Sequence, residues 1–151
     1  MRSSDRHQAL LTDMRRALLA EFGARAIYAQ LEHLCRDPEL AGVLARMHDE
    51  EARQIESLRS IMLALGARPR RRSTRRWILA ALLAWTTPIF GLRFCLRTCK
   101  QAETTASRWY AQYREYLSRC GEHEHAHTCA ELSLVKHRHA QMLQAWATDE
   151  G

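Results

Sequence analysis

Cys129, Leu132, Lys136, His139, Leu143 and Trp146 recur at alternating spacings of three and four, the stripe that one face of an α-helix turns toward a core. Three more stripes of helical period run through the chain. They are Met14, Leu18, Glu21, Tyr28 and Leu31; Leu40, Leu44, Met47, Glu51, Gln54, Leu58 and Leu65; and Leu92, Leu96, Cys99, Glu103, Ala106, Tyr110 and Leu117. Each apolar stripe is interrupted near its middle by a charged or polar residue. No segment alternates with period two, so no sheet is expected and the chain reads as all-α.

Turn signals divide the stripes into four helical segments. The first runs from about Ser4 to Cys35. Asp37 and Pro38 then supply an N-cap and a first-turn proline for the second. This one ends near Leu65, with Gly66 as its stop and Pro69 beyond. The third spans about Thr74 to Ser118 and is bent or broken near Pro88. CGEHEHAH leads into the fourth, which ends near Ala147. Four helices with short connections make an antiparallel four-helix bundle, and 151 residues suit one domain over the whole chain, 1–151. A hydrophobic fraction of 46% excludes a disordered chain. The five cysteines form no CxxC pair. Their odd number and the lack of an apolar N-terminal signal segment lead us to expect a reducing cytosol and packed free thiols.

A buried carboxylate without a partner is costly enough that it is neutralised or paired. Four interruptions at matching depth therefore point to one shared polar site inside the bundle; the competing reading leaves them as separate residues at the edges of wide faces. A bundle that gathers one Glu from each of two helices and a Glu-x-x-His from each of the other two is the carboxylate di-iron arrangement. The lone glutamates are Glu21 and Glu103, and the paired positions are Glu51 with Gln54 and Lys136 with His139. Three carboxylates and one imidazole of the six ligands are present, so the candidate metal ligands are Glu21, Glu51, Glu103 and His139.

These residues carry a resemblance. EFGARAIYAQL (residues 21–31), MHDEEARQIESL (47–58) and CKQAETTASRWYAQYREYL (99–117) are similar to the signature helices of the demethoxyubiquinone hydroxylases, ubiquinone-biosynthesis enzymes of the ferritin-like superfamily. The likeness runs from about Asp13 to Leu143. It implies a ferritin-like fold and a non-haem di-iron monooxygenase that uses dioxygen to hydroxylate a long-tailed quinone precursor at a membrane surface. Tyr28, Tyr110 and Trp109 are the expected substrate-pocket residues. The departures fall on the metal ligands: Gln54 stands where the family has a ligand histidine, and Lys136 where it has a bridging glutamate. Trp109 replaces a histidine.

Protonated lysine offers three donors and no lone pair, so it bridges carboxylates but binds no metal. Lys136 argues against two irons and leaves one or none. Alternatively its ammonium snorkels out of the bundle and only its stem is packed. Two functions follow. One is an O2-dependent hydroxylase with a rearranged iron site; the other is a catalytically silent quinone-binding, lipid-binding or scaffolding relative in which Lys136 replaces metal charge.

Residues 77–92 carry no charge, and six arginines lie between Arg68 and Arg76. Sixteen apolar residues are fewer than the roughly 20 a spanning helix needs. Basic flanks beside a short apolar helix suit a membrane interface, so residues 68–97 are a candidate interfacial element with Arg71, Arg72, Arg75, Arg76, Trp77 and Trp85 in contact with lipid. A buried core helix is the other reading. The net charge of +6 favours anionic partners, and an anionic membrane surface is expected. No nucleic-acid partner is, because no recognised binding motif accompanies the arginines. The expected location is cytoplasmic and peripheral at the inner membrane. A quinone or lipid-like molecule is the expected ligand, with a homo-oligomer or biosynthetic protein complex as a further expectation. HEHAH, residues 123–127, is expected to form an exposed loop and helix start.

Overall fold

A computed structural model describes residues 3–71 and 74–148. Four long helices carry the fold: α1 (Ser3–Leu34), α2 (Pro38–Ala64), α5 (Leu92–Arg119) and α6 (His123–Thr148). Two short ones, α3 (Thr74–Trp85) and α4 (Thr87–Phe90), lie in the connection between α2 and α5. No strand occurs among the described residues. The architecture is the all-α, ferritin-like bundle expected.

Local chemistry sets the helix ends. Asp37 is the N-cap of α2: its Oδ1 accepts from the backbone N–H of Glu39 at 2.8 Å and of Leu40 at 3.1 Å. Pro38, at the first helical position, gives up an N–H that would have had no helical partner. Gly66, at φ 86°, turns the chain out of α2 through a conformation that disfavours side chains. The third predicted segment is broken as expected near Pro88, and it yields three helices. Thr86 and Pro88 start the single turn of α4, and Gly91, at φ 84°, separates it from α5. The turn at Gly121 is shorter than the sequence suggested. HEHAH is the helix start expected but contains no loop, because α6 begins at His123.

The helices form two hairpins, α1 with α2 and α5 with α6, joined face to face through contacts of α1 with α5 and of α2 with α6. Ser107 and Ser133 clasp the second hairpin. Each hydroxyl donates to the other's backbone carbonyl, at 2.9 and 2.8 Å. Helix α3 packs on α1. The core divides into two apolar clusters. One contains Met14, Leu18, Leu58, Met62, Leu117 and Leu132; the other contains Leu31, Leu44, Met47, Leu96 and Leu143. Between them lies a polar layer of Glu21, Glu51, Gln54, Glu103, Lys136 and His139, every one buried.

Replacing Asp37→Ala removes both capping hydrogen bonds and is expected to cost about 1 kcal/mol of unfolding free energy. Asp37→Asn keeps an acceptor and is expected to lose less. Urea denaturation of the three chains checks the order.

Candidate metal centre

Each member of the polar layer sits on the stripe its helix turns inward, so the four long helices deliver one face each to the same level. Lys136, from α6, is 1% exposed. Its Nζ donates to Glu21 Oε2 and to Glu51, at 2.6 Å for Oε1 and 2.8 Å for Oε2. Glu103 Oε2 lies 3.3 Å away. The ammonium therefore stands among all three carboxylates, and the snorkelling alternative is excluded.

Two tyrosines aim the carboxylates. Tyr110 donates to Glu21 Oε1 at 2.6 Å, and Tyr28 donates to Glu103 Oε1. Burial, followed by the adjoining carboxylate, pushes both phenols well above their ordinary range, so they remain donors. Both rings are fully buried, and Trp109 is half-buried against the apolar core. On the opposite side, His139 Nε2 lies 2.5 Å from Glu50 Oε2, and Arg138 donates to the same oxygen at 3.0 Å. The ring's Nδ1 faces inward, 3.4 Å from Glu51 Oε1 and 3.6 Å from Glu103 Oε2. Glu50 lies off the apolar stripe, one position before Glu51, and the periodicity gave no sign of it. Holding the outer nitrogen of an imidazole with a carboxylate is how proteins orient a metal-binding histidine.

The charges balance within the cluster. Burial alone would push Lys136 down; Glu21, Glu51 and Glu103 outweigh it and hold the ammonium charged, above its usual range. Burial would raise Glu103, but the charges of Lys136 and His139 bring it down to about 2. Burial would lower His139, yet its carboxylate partners, Glu103 first, raise it to about 10. Glu51 is pushed well above its usual range by burial and by Glu21, so it is a carboxyl that readily keeps a proton. The Lys136 ammonium and the raised His139 thus set positive charge among the carboxylates. Cys99 and Cys129, raised to about 12 by burial, fill the core as neutral thiols.

Glu51, Glu103 and His139 offer ligand atoms that all lie within 4.8 Å of one another. Glu103 Oε2 and His139 Nδ1 are buried without a hydrogen-bond partner. Carboxylate oxygens with an imidazole nitrogen suit a first-row divalent ion, so the residues fit one metal at this position. The cation beside Glu21 is the Lys136 ammonium, which has no lone pair to offer. Gln54, where a histidine was expected, turns a neutral amide inward, and neither of its polar atoms has a protein partner.

The shifts set a pH window for the metal-free protein. Folding raises His139 from 6.5 to about 10. Its contribution is therefore full below pH 6.5 and is lost as pH rises through about 10. Glu51 is also raised and adds to the alkaline loss. Glu103 is lowered from 4.5 to about 2, so its contribution is present above pH 4.5 and is lost as pH falls through about 2. Unfolding free energy measured in chelator is expected to decline on the alkaline side, and His139→Gln is expected to flatten that decline.

A protein-family model described as ubiquinone biosynthesis protein COQ7 matches residues 11–150. No curated protein and no solved structure matches the chain with significance. The matched span takes in α1 from Leu11 onward, the whole of α2, α5 and α6, and every residue of the polar layer. By that match over nearly its whole length, the chain belongs to the COQ7 family of ubiquinone biosynthesis proteins.

Proposed function

We propose that this chain hydroxylates a long-tailed quinone precursor with dioxygen at a membrane surface, using one iron held by Glu51, Glu103 and His139. Lys136 stands in for the second cation. One observation carries this reading: two buried ligand atoms that make no hydrogen bond, Glu103 Oε2 and His139 Nδ1, lie 3.6 Å apart, beside an ammonium bound to Glu21 and Glu51. Iron bound there supplies the redox chemistry with dioxygen, with electrons from an external reductant. The chain's own residues prepare the place. Glu50 holds the imidazole with Nδ1 inward, Tyr28 fixes Glu103, and Lys136 with Tyr110 fixes Glu21. The apolar clusters on either side exclude water, which strengthens each of these interactions.

The surface of α3 and α4 supports a peripheral site at the inner membrane, on the cytoplasmic side. Trp77, Leu82, Trp85, Ile89 and Phe90 are exposed together, Trp85 at 79%, with exposed Arg71 and Arg75 on the same segment. Arg72 and the side chain of Arg76 lie outside the described residues. No helix among the described residues is long and apolar enough to cross a membrane. A cavity of about 380 Å³ opens between α1, α2 and α3. Phe22, Ala26, Ala29 and Trp77 form its apolar wall, and Arg25 and Arg71 its cationic edge. An apolar wall with a cationic edge suits a ligand with an apolar tail and an anionic or polar head.

A second reading has its own support. Because Lys136, His139 and a proton on Glu51 balance the carboxylates, the layer needs no ion to stay folded, as a silent quinone-binding or lipid-binding relative would require.

Metal content separates the two readings. Loaded anaerobically with ferrous iron, the wild type is expected to hold one iron per chain, without the magnetic signature of a coupled pair. No retained iron would favour the silent binder, and two would refute the role given to Lys136. Lys136→Met is expected to cost the metal-free protein about 3–5 kcal/mol, the scale for stranding buried charges. Lys136→Glu combined with Gln54→His completes both Glu-x-x-His pairs. That double variant is expected to melt low without metal and to regain stability with it, because an ion bound only by the fold stabilises it by mass action.

Membrane binding is tested on vesicles. Anionic vesicles are expected to bind the chain more tightly than neutral ones, and added salt to weaken the binding by screening the arginines. Trp77→Ser with Trp85→Ser is expected to reduce binding without lowering the melting temperature. Equal binding to neutral and anionic vesicles would remove the role of the arginines.

A further inference from the structure

The fold gives the histidines of HEHAH a fixed spacing in space. The Glu122 carbonyl accepts from the Ala126 N–H at 2.9 Å, so the helical ladder of α6 is already running at His123. Residues four apart in a helix sit one above the other on the same face. His123, His127 and Glu131 therefore form a column on α6. All three are exposed, His127 at 76% and Glu131 at 65%. Helical side chains lean toward the N-terminus, and Glu131 does so here: its Oε1 lies 3.5 Å from His127 Nε2. That leaves His127 Nδ1 as the nitrogen free for another partner, with His123 one turn ahead. His125 is half-buried and, two residues from each of the other histidines, is off their face.

We propose that His123 and His127 form a surface site for a divalent ion that favours imidazole, of the zinc or nickel class, with Glu131 as the positioning residue. Residues 123–127 read His-Glu-His-Ala-His, which fits the His-Glu-x-x-His pattern by which one helix face presents two imidazoles to one ion. A carboxylate on the far nitrogen of a ligand imidazole fixes its tautomer and aim, and Glu131 stands where it can do this for His127. Water fills the remaining positions of the ion. Magnesium and calcium take oxygen ligands and do not suit two nitrogens. A cation near the start of a helix is opposed by the macrodipole; Glu122, Glu124 and Glu131 offset that charge. Glu124 lies about 100° around the helix from His123, so it adds charge without being a ligand. An ion bound here staples the first turns of α6 directly after Gly121. The site shares no ligand with the buried centre and does not depend on what that centre holds.

Site-resolved acylation of histidines by diethyl pyrocarbonate, read by peptide mass spectrometry, tests the site. The full-length, chelator-treated chain is labelled at about pH 7.5, where an ordinary imidazole is neutral, with zinc chloride, nickel chloride or calcium chloride. With zinc or nickel at about ten times the dissociation constant, acylation of His123 and His127 is expected to slow about tenfold, since only the free fraction reacts. His137, exposed on the same helix, is the reference and is expected to react as before, as is every histidine in calcium. An ion in the buried centre cannot shield exposed rings, so the readout is separate from the iron assignment. His123→Gln is expected to abolish protection of His127, whereas His125→Gln is expected to leave it intact. Glu131→Gln is expected to weaken the protecting ion's affinity about tenfold with no change in the metal-free melting temperature. Unchanged acylation of His123 and His127 in both zinc and nickel would overturn the proposal, as would equal protection of His137. Loss of protection in His125→Gln would overturn it too, because the tract would then bind without regard to its helical face. Unchanged affinity in Glu131→Gln would overturn the positioning role.

Discussion

The ammonium of Lys136 holds the middle of this bundle together. Two carboxylates about 4 Å apart repel by about 4 kcal/mol at an effective dielectric of about 20, and Glu21, Glu51 and Glu103 meet in a layer from which water is excluded. Lys136 reaches all three. It is a cation tethered to the backbone of α6 and so is present in every folded molecule. The carboxylates in turn keep the lysine charged at a depth where it would otherwise give up its proton.

The same interaction divides the site. On one side, the lysine, Glu21 and Tyr110 form a closed, hydrogen-bonded unit with no free lone pair directed at a metal. On the other, His139, Glu51 and Glu103 keep the geometry of a ligand set, with Glu50 behind the imidazole. The two tyrosines work across helices: Tyr28 from α1 serves Glu103 of α5, and Tyr110 of α5 serves Glu21 of α1. This exchange ties the two hairpins at the level where like charges would push them apart. The apolar clusters on either side then hold the layer dry, so a modest number of polar contacts sets a single registry for four helices.

The surface role proposed for this chain rests on where the crossover runs. A bundle whose α2 and α5 must be joined across its length needs a long connection, and this chain uses it for α3 and α4. That segment leaves Trp77, Leu82, Trp85, Ile89 and Phe90 exposed. Exposed apolar patches of this kind mark a partner or a lipid surface, and the proposed function assigns this one to an anionic membrane because arginines precede α3.

The fold was legible because its information is periodic. Four stripes, Asp37–Pro38 and Gly66 define helices and turns without reference to anything distant, and the depth of each interruption announced a shared layer. The residues of that layer, Glu21, Glu51, Gln54, Glu103, Lys136 and His139, could be named from spacing alone, since residues three and four apart share a helix face. Pairing within the layer was not legible. Which oxygen the ammonium takes, that Tyr28 serves Glu103 while Tyr110 serves Glu21, and that Glu50 orients His139 from outside the stripe depend on helix rotation and separation. HEHAH read as a loop leading into a helix start, whereas α6 takes up all of it with Gly121 as the turn before it. Local sequence determines what each helix carries and which way it faces. Only the packed bundle decides which charges meet, because Coulomb and hydrogen-bond energies depend on distances of a few ångströms that no spacing along the chain specifies.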